Sequence, residues 1–170
     1  MKNFIATGLI AATLFGVSAC PNNQTDEENR PHWRHPDMTT EALQTFTEDL
    51  WYNVSEGNWN YVYNFAQQEF RDVANISKYE TVKRTCSNDL STKDFTLINV
   101  TVTEDNNPSY GYATIQSTDG KVNIEQEYTF NLDMGKWEFL VPKEEITLFE
   151  NFTADEIVEI LIEEDRCYIG

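Results

Sequence analysis

Few residues in this chain could do metal, proton-transfer or covalent chemistry, and their spacing limits what that chemistry could be. The two histidines, His32 and His35, form a His-x-x-His pair beside Trp33 and Arg34. That spacing can ligate a metal, but prolines flank it on both sides and no cysteine is near, so it reads as linker. No histidine follows His35, which excludes a Ser-His-Asp or Cys-His arrangement from the rest of the chain. Zinc lacks ligands there for the same reason. Glu144-Glu145, Asp155-Glu156 and Glu163-Glu164-Asp165 lack the alternating Asp/Asn ligands and the glycine of a calcium loop, and read as solvated faces. No metal and no cofactor is expected. One polar residue stands out in a different way. In the alternating run from Val122 to Leu132 the inward series is apolar except at Gln126, and a buried amide without partners costs roughly 1–3 kcal/mol. Gln126 therefore lies at a bulge or at the sheet rim, or it lines a ligand pocket with Trp59, Tyr112 and Tyr128. No strand spacing forces those four together.

The three cysteines, Cys20, Cys86 and Cys167, are an odd count, which leaves one unpaired. Cys20 closes an N-terminal stretch in which Lys2 precedes an apolar run from Phe4 to Val17. The run falls short of the roughly 20 residues that cross a bilayer, and small residues follow it, as in a secretory signal. Val17-Ser18-Ala19-Cys20 resembles the lipobox of bacterial lipoproteins, in which the chain is cut before the cysteine and its sulfur receives a diacylglyceryl group. Ordinary signal cleavage after Ala19 is the alternative. Two acyl chains hold a protein on a membrane where one would be marginal. With Cys20 lipidated, Cys86 and Cys167 remain in an exported, oxidising setting. A disulfide between them is favoured over two free thiols, and closing so long a loop contributes on the order of 4 kcal/mol.

Composition agrees with such an address. The chain has 170 residues, 12 Lys plus Arg against 29 Asp plus Glu, and a formal net charge of −17. So acidic a surface argues against nucleic acid, which is bound through clustered cations. It favours a basic protein or a cation as partner. Hydrophobic residues at 40% and aromatics at 13% are too many for a disordered chain. Five Asn-x-Ser/Thr sequons occur, at Asn23, Asn53, Asn75, Asn99 and Asn151. Most read as chance in an Asn- and Thr-rich chain, with a secreted eukaryotic glycoprotein as the minor alternative.

Four segments follow from these signals. Residues 1–19 are a lipoprotein signal peptide, 20–38 the lipidated Cys20 with a polar, Pro-containing tether, 39–142 a folded domain, and 143–170 a C-terminal helical extension. Thr39 or Thr40 caps a first helix with Leu43, Phe46, Thr47, Leu50 and Val54 on one face, stopped by Gly57. A second helix carries Trp59, Val62, Tyr63, Ala66 and Phe70 on its buried stripe. Ser77 and Glu80 form a capping box for a third. The period then switches to two: strands are predicted over Phe95–Thr103, Tyr110–Ser117, Lys121–Leu132 and Lys136–Val141. Asp119-Gly120 is a two-residue hairpin signal between the middle pair, and Asp133-Met134-Gly135 turns the last. Thr153 and Glu156 cap a final helix, which is expected to dock on the domain. The fold class is α+β, N-terminal helices on an antiparallel four-stranded sheet.

The three helices, the Gly57-Asn58-Trp59 corner and the Asp133-x-Gly135-x-Trp137 hairpin resemble the NTF2-like family over residues 39–142. The resemblance implies helices packed into a strongly curved sheet, a cone able to hold a pocket. It also implies a non-catalytic binding or accessory module at the cell envelope, on the cell membrane or the outer membrane, with a protein partner or a small ligand. A carrier or enzyme using the cone pocket is the competing expectation.

Overall fold

The computed structural model describes residues 36–86, 93–103 and 110–167. Cys20, the tether before residue 36, the His32/His35 pair and Asn23 lie outside them. Helix α1 (Thr40–Ser55) starts at its expected cap, where the Thr39 hydroxyl accepts the Ala42 amide at 3.1 Å. It stops at Gly57, whose φ of 66° is left-handed backbone that a Cβ disfavours. Its buried stripe is Leu43, Thr47, Leu50, Trp51 and Val54.

The single second helix of the sequence pattern is two helices, α2 (Trp59–Tyr63) and α3 (Gln68–Val73). Tertiary pairing makes the break. The Phe139 amide donates to Phe65 O at 2.9 Å and the Gln67 amide to Phe139 O at 3.0 Å, so Ala66 bridges Phe139 in parallel. The linking residues thus cover a sheet edge that would otherwise be open. Arg71 fastens them: Nη1 donates to Asn64 O at 3.0 Å and to Ala66 O, and Nη2 to Glu138 Oε1 at 2.9 Å. Glu138 is only 2% exposed, and its second oxygen accepts from Asn131 Nδ2 at 3.3 Å. A carboxylate so deep is tolerated because it is paired and hydrogen-bonded. Helix α4 (Ile76–Cys86) begins earlier than its expected box. Asn75 Oδ1 accepts the Lys78 amide at 2.9 Å, and Ser77 lies inside the helix, its carbonyl accepting from the Thr81 hydroxyl.

Strands β1 (Phe95–Val102), β2 (Tyr110–Ser117), β3 (Asn123–Asn131) and β4 (Lys136–Phe139) form an antiparallel meander in sequence order. The class is α+β, as expected. The sheet is open, neither closed nor strongly curled. Strong curvature in a short sheet takes repeated bulges or glycine bends, whereas the described strands show one register shift, between Leu97 and Asn99. Ile98 sits in that shift, 56% exposed. The β2–β3 loop is longer than a two-residue hairpin. Ser117 N–H donates to Val122 O at 2.9 Å and Gly120 N–H to Ser117 O at 2.8 Å, which leaves a turn at Thr118-Asp119 followed by left-handed Gly120. The core face presents Ala113, Ile115, Tyr128, Phe130, Trp137 and Phe139. Gly111 belongs to the same face, and a Cβ there would lie 2.2 Å from Leu43 Cδ2. Its bare backbone lets α1 come down on β2. Leu132, expected inward, is 39% exposed beyond the end of β3.

Pro142 ends the sheet and also caps a helix that the pattern left out, α5 (Lys143–Asn151), with Glu144 and Glu145 in its first turn. Helix α6 (Ala154–Glu163) carries the expected capping box between Thr153 and Glu156. Ile146, Phe149 and Ile157 join the same buried cluster as the earlier helices and the sheet, so the final helix docks on the domain. Cys86, at the end of α4, is bonded to Cys167, just beyond α6, with Cα atoms 4.3 Å apart. No helix among the described residues is long and apolar enough to cross a membrane.

Candidate functional site

Strand parity decides where the four pocket candidates go. Tyr112 pairs with Glu127 and Ala113 with Gln126. Tyr112 therefore lies on the outer face, 43% exposed, while Gln126 and Tyr128 belong to the inner one. Trp59 is buried at the start of α2. The Gln126 amide donates to Glu127 O and to Leu140 O, both at 2.9 Å, which satisfies it at the rim where the chain leaves β4. Tyr112 and Gln126 do share a wide groove of about 770 Å³ beside Glu125, Glu127 and Lys143. Tyr128 and Trp59 are not part of it.

Tyr128 helps to form a second feature, on the inner face. Its ring is edge-on to Phe46 of α1, centroids 5.8 Å apart. Its hydroxyl is buried together with Thr47 Oγ1 and Trp51 Nε1, and none of the three closes a hydrogen bond of normal geometry. Burial pushes the Tyr128 phenol up to about 12, while the neighbouring Thr47 and Trp51 act to lower it. At neutral pH it is a neutral phenol. Three polar groups unsatisfied in one place depart from the rule that buried polar atoms are paired.

These groups lie beneath a cleft of about 150 Å³ between α1 and the β1–β2 edge. Its walls are Trp51, Phe95, Leu97 and Ile115. Trp51 and Phe95 meet at 58° with centroids 4.8 Å apart, forming a corner of two rings. Glu48 and Asp94 supply carboxylates, and Tyr52, 63% exposed, completes the mouth. Glu48 Oε1 accepts from Gln44 Nε2 at 2.9 Å. Lys93, beside Asp94 in the chain, donates to Asp119 Oδ2 at 3.1 Å. A cavity of this volume holds a ligand of about six to eight non-hydrogen atoms.

Thr47 and Trp51 were legible as candidates, since they stand four residues apart on one buried stripe and put a hydroxyl and an indole N–H on it. Phe95, Glu48 and Asp94 depend on how α1 lies over β1, which no local pattern encodes. Among the described residues no group of three or more His, Cys, Asp and Glu could hold a metal ion. Elsewhere, Asp49 accepts a hydrogen bond from the Tyr61 hydroxyl and so raises that phenol to about 12. Burial likewise raises Tyr79 to about 12. Comparison with known protein families, with characterised proteins and with solved structures finds no match to this chain.

Proposed function

We propose that this protein is a lipid-anchored module, displayed on the extracytoplasmic side of a bacterial cell membrane or outer membrane, that binds a partner or small ligand without transforming it. One observation carries the reading: Cys86 and Cys167 are bonded to each other. A structural disulfide suits an oxidising compartment outside the cytosol. It also occupies both cysteines of the domain and leaves Cys20, at the end of the Val17-Ser18-Ala19-Cys20 lipobox, as the one available to a diacylglyceryl group. An N-terminal signal peptide and a tether belong to the same reading, the tether ending before Asp37 and Met38, which pack against the domain. The acidic surface then needs no attraction to anionic lipid, because two acyl chains supply the attachment. Helices before an antiparallel meander, packed on one of its faces, support an NTF2-like relationship for residues 39–142.

The unsatisfied polar groups under α1 favour a second reading, a carrier or enzyme for a small molecule that uses the space between the helices and the sheet. Replacing Cys20→Ser tests the first. The protein is expected to move from the membrane pellet to the soluble fraction and to lose incorporation of labelled fatty acid. A variant that stays in the pellet overturns the anchor.

A further inference from the structure

The cleft under α1 combines three properties seldom found together by chance. Its corner is formed by the Trp51 and Phe95 rings, tilted 58° to each other, and aromatic faces attract cations, more strongly when water is excluded. Its described lining includes two carboxylates, Glu48 and Asp94, and no cationic side chain. Beneath it the Thr47 hydroxyl and the Trp51 indole N–H are buried with the Tyr128 hydroxyl, and none of the three closes a hydrogen bond of normal geometry. A formal charge of −17 raises the concentration of small cations around the whole molecule.

We propose that this cleft binds a small organic cation of the ammonium class that also carries a hydroxyl, a compact amino alcohol. The ammonium group packs in the Trp51–Phe95 corner with Glu48 and Asp94 nearby. The ligand's hydroxyl lies on the side of the cleft nearest those buried polar groups. The volume of about 150 Å³ admits a head of that size and excludes a nucleotide or a sugar chain. A free solute fits better than a phospholipid headgroup, because the phosphate attached to the latter meets the same carboxylates unfavourably. The inference deepens the binding-module reading and rests on its binding half alone, not on the anchor.

The test is a calorimetric titration of the full chain, unmodified and with Cys20→Ser, against choline and against its uncharged isostere, in which carbon replaces the ammonium nitrogen. Choline is expected to bind at least tenfold more tightly than the isostere. Glu48→Gln combined with Asp94→Asn, both on the surface and isosteric, is expected to weaken choline about tenfold and leave the isostere unchanged. Vesicles of phosphatidylcholine form a further arm: no competition with free choline identifies a free solute, and competition identifies the headgroup as the source of the same chemistry. Equal affinities for choline and the isostere, or no heat with choline, overturn the proposal. Failure of the anchor leaves this result untouched, since both forms of the chain then bind choline alike.

Discussion

The corner where α4 meets α5 and α6, and the flank where α1 meets β1, are built from similar ingredients and use them differently. In the corner, Phe70, Tyr79 and Phe149 form a ring cluster with centroids 5.0–6.2 Å apart. The polar groups around it find partners. Lys78 Nζ donates to Phe149 O at 2.6 Å, and the Tyr63 hydroxyl donates to Ala74 O at 2.5 Å. Lys83 reaches Glu145 at 3.2 Å. Burial works to lower the Lys83 ammonium, but Glu145 and Tyr79 more than offset it and hold it above its ordinary value. The flank has rings too, yet Thr47, Trp51 and Tyr128 lie buried beside the cleft without closing a hydrogen bond of normal geometry. A region that needs only to be stable satisfies its polar atoms, and strained or unsatisfied groups gather where binding occurs. The contrast is what the proposed reading expects, with scaffold on one side and the proposed binding cleft on the other.

Three experiments test that division, in order of expected effect. Phe149→Ala removes a fully buried ring from the cluster and is expected to cost roughly 3–5 kcal/mol, read from the midpoint and slope of urea unfolding. A loss below about 1 kcal/mol would mean the corner is not the scaffold. Reducing the Cys86–Cys167 bond is next, at about 2–4 kcal/mol, measured as a drop in Tm with reductant that a Cys86→Ser, Cys167→Ser double variant no longer shows. The smallest effect belongs to the flank. Tyr128→Phe deletes an unsatisfied hydroxyl and should change stability by less than about 1 kcal/mol at neutral pH. Its signature lies at high pH. Tyr128 and Tyr79 each titrate near 12 in the folded state against an ordinary 10, so the folded protein binds more protons in that window. Stability is then intact below pH 10 and is lost as pH rises from 10 through 12. Tyr128→Phe should flatten part of that decline in the urea midpoint, and a decline of unchanged steepness would show that its phenol ionises freely in the fold.

Much of the scaffold was legible because its signals are local. Thr39 and the Thr153–Glu156 pair cap helices through contacts within one turn, Gly57 stops α1 by its own backbone preference, and the strands follow from period-two alternation. What escaped reading is tertiary. The break between α2 and α3 is imposed by Phe139, more than seventy residues after Phe65 in sequence, against a helical pattern that continues through Ala66. The start of α4 moved two residues because Asn75 competes with Ser77 as a cap, and both are good ones. Helix α5 does carry a local signal, Pro142 at its cap and the acidic first turn at Glu144-Glu145. The outward position of Tyr112 was available from parity: once Ser117 opposes Val122, residue 112 must oppose 127 and not 126. The cleft under α1 was beyond reach, since it depends on how α1 lies over β1 and β2, which is a tertiary matter that includes the close approach of Leu43 to Gly111.

The indole N–H of Trp137 donates to Asp37 O at 2.9 Å, and Met38 is buried beside it. The chain thus enters the domain already fastened to β4, against the end of the sheet opposite β1. If the protein hangs from a membrane by Cys20, mechanical load along the tether arrives first at this clamp. Such load meets β4, a strand wedged between β3 and the Phe65–Gln67 segment, before it reaches α1.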